Sequence, residues 1–131
     1  MTKSLTSKHI EKHLLGFGIE PEQASHTLIG SLSGGQKVKV VLAASMWLNP
    51  HLVILDEPTR GVDIGAKKSI YELIAKLSDV GESVLLVSSE IEEIIGMSNR
   101  VLVMSRGRLS AQLIGADINK KTIMEAAFKY N

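Results

Sequence analysis

Four consecutive apolar residues, Leu52-Val53-Ile54-Leu55, run directly into two carboxylates, Asp56 and Glu57. Unbroken apolarity over so short a run predicts a strand buried on both faces, as in parallel sheets covered by helices. Two adjacent acids at its end are costly to bury without a cation or hydrogen-bond donors. Sheets of this kind bind their ligands at the carboxyl ends of the strands. The Asp56-Glu57 pair therefore marks the place where a polar ligand is expected.

The flanking sequence predicts helices in alternation with a second strand. Ser7 to Leu15 reads as a short amphipathic helix with Ile10, Leu14 and Phe17 on one face. Gly16 and Gly18 end it, and Pro21 opens a polar stretch with another helical turn. Gln36 to Leu48 reads as a helix with Val38, Val41, Leu42, Ser45 and Met46 on its inner face, stopped by Asn49-Pro50. Lys67 to Val80 is a third, with Ile70, Leu73, Ile74 and Leu77 inward and Gly81 as its stop. Ser83 to Val87 is a second apolar strand, and Glu90 to Met97 a short helix. Arg100 to Ser105 and Arg108 to Leu113 predict a hairpin about Arg106-Gly107. Asn119 caps a last helix reaching Lys129. This order predicts an α/β fold: a parallel sheet flanked by helices, followed by a hairpin and a helix, in one domain over residues 1–131.

Bulk properties narrow the function. A net charge of +1 gives no electrostatic case for nucleic acid as a direct partner. The absence of cysteine removes disulfides and thiolate metal sites. No apolar run approaches the roughly 18 residues of a membrane span. Met1-Thr2-Lys3-Ser4-Leu5 has no signal-peptide core. A cytoplasmic chain is expected, free or peripheral at the inner face of the plasma membrane.

Two segments carry the chemistry. Adjacent strand residues point in opposite directions, so Asp56 and Glu57 have different tasks. One carboxylate can hold Mg²⁺ through water, and the other can orient or deprotonate an attacking water. The plainer reading is an acidic turn capping the next segment. Ser33-Gly34-Gly35-Gln36 precedes a helix. Glycines allow backbone N–H groups to approach an anion, and a helix N-terminus favours phosphate. The plainer reading makes Ser33 a helix cap, and both can hold together.

Leu32 to Gln36 together with Leu52 to Pro58 resemble the signature and Walker B motifs of the ATP-binding cassette (ABC) ATPases. Arg60-Gly61-Val62-Asp63 is similar to the D-loop of that family. The resemblance runs from Ser7 to Phe128. It implies the C-terminal half of a nucleotide-binding domain, with a P-loop NTPase-like fold. It implies that Asp56 binds Mg²⁺ through water and that Glu57 is the general base. It implies that Ser33, Gly34, Gly35 and Gln36 form the signature surface, the first three meeting the γ-phosphate of ATP held by a partner cassette. It implies that Asp63 aligns two cassettes, and that ATP and Mg²⁺ act only in a complete cassette. The partners it implies are a second cassette or the missing N-terminal half, a membrane permease, or a second copy of this chain.

The departures are as informative. No segment fits Gly-x-x-x-x-Gly-Lys-Ser/Thr. The nearest, Gly61 to Ser69, has its second glycine and lysine misplaced, and Lys67 and Lys68 read as exposed residues of an early helical turn. Many family members carry histidine where this chain has Ser89 (the switch position), and serine has no cationic form. Ser89 reads equally as the cap of the following helix. His9 and His13, four residues apart, read as a solvated helix face, without a third metal ligand.

Glu57 to Lys67, Ser88-Ser89-Glu90 and Ile123 to Ala127 resemble the second cassette of bacterial monosaccharide importers. Gly18 to Glu22, Leu32 to Leu42 and Met46 to Leu52 resemble fungal ABC-type translation elongation factors. A chimera or design joined within Leu55 to Thr59 is the expectation. Sugar import is the leading function, with no ATPase activity for the chain alone. A non-catalytic engineered or truncated module and a translation-associated ATPase fragment are the alternatives. A sheet without its other half is expected to expose an apolar face and to associate.

Overall fold

The computed structural model describes residues 6–130, so the reading of Met1 to Leu5 lies outside it. The chain divides into two compact units, one up to Leu85 and one from Leu86 onward.

The first unit begins with α1 (Ser7–Gly16) and α2 (Pro21–His26). Ile10, Leu14 and Phe17 are half-buried, as their spacing predicts. Pro21 opens α2, where Glu20 and Gln23 form a reciprocal capping box. A 3-10 turn at Ile29–Ser31 leads to α3 (Gly34–Met46). This helix starts two residues earlier than its apolar spacing indicates, because Ser33 caps it. Its inner face is also rotated from the expected one: Gly35, Leu42, Ala43 and Met46 are buried, whereas Val41 and Ser45 face solvent. Valine at an outward position misled the pattern. The small residues Gly35 and Ala43 mark the true contact face.

β1 (Leu52–Asp56) and β2 (Ser83–Val87) form a two-stranded sheet joined through α4 (Ile64–Asp79), the crossover by which parallel strands connect. Ile70, Leu73, Ile74 and Leu77 of α4 are buried, as predicted. The helix ends before Gly81, whose φ of 94° suits glycine. Lys67 and Lys68 lie in its early turns; Lys68 is exposed, but Lys67 is half-buried, against expectation. Met46, Val53 and Leu77 form a core cluster with Phe17, Leu55 and Val84 around it.

The expectation of strands buried on both faces fails for β1. Val53 is buried, but Leu52 is 54% and Ile54 62% exposed. Leu85 of β2 is also exposed. The sheet is covered on the side of the Met46–Val53–Leu77 cluster, while its other side presents aliphatic side chains to solvent.

The histidines also differ from expectation. His9 is exposed, with Nδ1 2.9 Å from Thr6 Oγ1. His13 is not on a solvated face: its ring is half-buried and contacts Phe17 and Trp47.

The second unit holds α5 (Ile91–Met97), β3 (Arg100–Ser105), β4 (Arg108–Ile114), a 3-10 turn at Gly115–Asp117, and α6 (Lys120–Ala127). Arg106 and Gly107 turn the antiparallel hairpin with φ of 45° and 74°, the double positive φ that matches strand twist. A bulge interrupts the register between Val103 and Met104. Val101, Val103, Leu113, Ile123 and Ala126 make this unit's core. Asn119 caps α6 as predicted, accepting from the Thr122 amide at 3.0 Å. Ser105 Oγ donates to Ala127 O at 2.7 Å and ties the hairpin to the end of α6.

Candidate functional site

The site is built at two helix beginnings in the first unit. At the first, Ser33 has extended backbone and its hydroxyl accepts from the Gln36 amide at 3.3 Å. Gln36 Oε1 accepts from the Ser33 amide at 2.8 Å. This capping box satisfies two amides that a helix start leaves unpaired. Ser33 is exposed and remains open to a further contact. The capping reading of this serine therefore holds, and the cap leaves its residue exposed.

At the second, Asp63 is the cap of α4, with Oδ2 accepting from the Ala66 amide at 2.9 Å. The predicted D-loop aspartate thus also has a local structural task. Its cap starts α4 at Ile64, three residues before the apolar periodicity becomes visible.

Glycine brings the two beginnings together. A Cβ on Gly35 would lie 2.6 Å from Ala66 Cβ and 3.7 Å from Val62 Cγ1. A Cβ on Gly34 would lie 3.6 Å from Gly61 O. The Gly-Gly pair therefore has a packing role that phosphate binding alone does not predict. Gly35 is the close-approach residue between α3 and α4, while Gly34 is exposed beside Gly61.

Asp56 ends β1 as predicted, and Glu57 follows just outside the strand. Asp56 is exposed and Glu57 half-buried. Glu57 has φ of 48°, a left-handed conformation uncommon outside glycine. The chain then folds back through two turns: the Arg60 amide donates to Glu57 O, and the Val62 amide to Thr59 O, both at 3.1 Å. Thr59 is almost wholly buried. Sequence reasoning passed over Thr59 and Ala66; the only available signal was a small polar residue after Pro58 and an alanine one turn into α4.

Ser89 lies in the second unit and is exposed. It is not the cap of α5. Glu90 holds that position without a side-chain cap, and the Glu90 amide donates to Ser88 Oγ at 3.0 Å. Among the described residues, no three His, Cys, Asp or Glu side chains group as a metal site. No helix there is long and apolar enough to cross a membrane.

The family profile described as ABC transporter matches residues 5–60. The solved ADP conformation of an ATP-binding cassette of an ABC transporter superposes with a TM-score of 0.75 at 22% identity, over 98% of this chain and 49% of that one. A nucleotide-free ATP-binding cassette from an ABC transporter gives 0.79 at 22% identity, over 93% of this chain and 48% of that one. The fold is that of an ABC transporter ATPase cassette. Among curated relatives, the xylose import ATP-binding protein XylG of Escherichia coli K12 is 52% identical over 101 residues. That match covers 77% of this chain and 20% of the relative. XylG of Escherichia coli UTI89 is 50% identical over 106 residues, covering 81% of this chain and 21% of the relative. The chain spans about a fifth of the length of these importer proteins and about half of the solved cassettes. Its sequence is thus close to sugar-importer cassettes.

Proposed function

We propose that this chain supplies the signature surface and the Walker B carboxylates of an ATP site in a sugar importer, its two units forming part of one nucleotide-binding domain. The carrying observation is the packing of the signature turn on the D-loop segment, Gly34 beside Gly61 and Gly35 against Ala66. Two loops with separate predicted roles toward a partner cassette form one surface. The importer assignment is supported by the 52% identity to XylG, and a pentose is the favoured cargo.

In this reading Asp56, exposed at the end of β1, would hold a magnesium ion through water. ATP-bound Mg²⁺ supplies charge neutralisation at the transferred phosphoryl group. Glu57, next along the chain, orients and deprotonates the attacking water. The exposed Ser33 hydroxyl and the Gly34 amide face the nucleotide of a partner cassette. No segment of this sequence fits a P-loop, and in this reading that cradle belongs to the complementary part of a complete cassette. The exposed Leu52, Ile54 and Leu85 face supports such a partner, because a parallel sheet is ordinarily covered on both sides. A permease completes the importer at the inner face of the plasma membrane.

The test is ATP turnover with and without a polypeptide bearing a P-loop half-cassette. The expected result is no turnover for the chain alone. The mixture should give magnesium-dependent turnover that is lost in Glu57→Gln. Turnover by the chain alone, or an active Glu57→Gln mixture, overturns the reading.

A further inference from the structure

The far end of α3 carries a polar contact that the proposed function does not use. The Trp47 amide donates to Ala44 O at 3.2 Å, one residue later than an α-helical ladder requires. His13 of α1 instead approaches Ala43 O, its Nε2 at 2.6 Å. A carbonyl oxygen only accepts, so this nitrogen carries the proton and donates. The imidazole lies between two aromatic rings. Its centroid is 5.2 Å from Phe17, tilted at 48°, and 4.9 Å from Trp47, edge-on at 81°. Edge-to-face geometry of this kind is favourable beyond the area it buries.

We infer that His13 is a positioning residue for the signature helix: it caps the C-terminal end of α3 and clasps that end to α1. The opposite end of α3 is held by Gly35 against Ala66. A 13-residue helix is about 20 Å long. Being fixed at both ends, it presents the Ser33–Gln36 turn at one orientation. A His13 variant therefore acts on that turn from about 20 Å away. The consequence for nucleotide rests on the function proposed above; the clasp itself is a property of this chain.

The contact predicts a distinctive ranking of variants. Gln places an amide nitrogen close to the position of imidazole Nε2. Asn is too short to reach, and Phe keeps a ring without a donor. The experiment is amide hydrogen exchange on the intact chain, alongside fluorescence of Trp47, its single tryptophan. In His13→Asn and His13→Phe, exchange is expected to quicken roughly fivefold in the last turn of α3, the scale of one net hydrogen bond. It is also expected to quicken at the Gln36 and Lys37 amides of the first turn. Trp47 should become more accessible to acrylamide. His13→Gln should restore slow exchange at both ends. If His13→Phe does not fold, His13→Asn carries the test alone.

Unchanged exchange and quenching in His13→Asn overturn the clasp. A change confined to the last turn, or no rescue by Gln, overturns the positioning role. If the wild-type mixture with a P-loop half-cassette shows no turnover, the proposed function fails. The exchange pattern still decides the role of His13.

Discussion

Gly35 and Ala66 stand so close that a Cβ on the glycine would lie 2.6 Å from the alanine Cβ. Gly35→Ala is therefore expected to destabilise the chain by about 1–3 kcal/mol, the usual range for overpacking. Urea unfolding of the single variants and of Gly35→Ala/Ala66→Gly checks this. The double variant should recover part of the loss, since the second change removes the opposing methyl.

Asp63 caps α4 through the Ala66 amide, and Ser33 caps α3 through that of Gln36. Asp63→Ala and Ser33→Ala should each lose about 1 kcal/mol of stability. Asp63→Asn and Ser33→Thr should lose less, because both replacements still cap. Any activity measured with the alanine variants needs correction for this loss.

The backbone at Glu57 makes substitutions unequal. Its φ of 48° disfavours β-branched side chains most. Glu57→Val is expected to cost about 1–3 kcal/mol. Glu57→Gln should stay within about 0.5 kcal/mol of the parent. Thermal unfolding of the two variants separates backbone strain from chemistry.

The exposed aliphatic pair on β1 predicts self-association. Leu52→Lys/Ile54→Lys should shift sedimentation toward monomer at high concentration. The change should alter stability by no more than about 0.5 kcal/mol per site, because neither side chain is in the core.

Glu92 of α5 is bonded to Lys120 Nζ of α6 at 3.1 Å. Its carboxyl is held below the usual glutamate value, first by that hydrogen bond, then by its own amide and by the Lys120 charge. A lowered folded-state value means stabilisation that is present above the ordinary glutamate pKa. It is lost as pH falls through the lowered value. Carbon-detected NMR titration should find Glu92 titrating low, and Lys120→Met should return it toward the ordinary range.

The local signals were the legible ones. Asn119 capped its helix, Arg106-Gly107 turned the hairpin, and Ile70, Leu73, Ile74 and Leu77 faced inward, because each depends on residues within one or two turns. The face of α3 was not legible, since Val41 and Ala43 differ in burial through what α3 packs against rather than through their spacing. The apolar letters of Leu52 and Ile54 implied a second covering layer that the described residues do not provide. At the candidate site, apart from the Ser33 cap, the local structural tasks of the residues were not readable. Ser33 and Asp63 cap helices, and Gly35 makes room for Ala66. His13 read as solvated because a distant carbonyl, Ala43 O, gives it its partner.

The Gly35–Ala66 contact also has a mechanical meaning. With only the Ala66 methyl and the Val62 side chain against Gly35, the starts of α3 and α4 have little play. A push on Asp63 has no soft layer to absorb it before it reaches Ser33. The pair behaves like meshed teeth, so the two loops can shift together but cannot readily slip past each other.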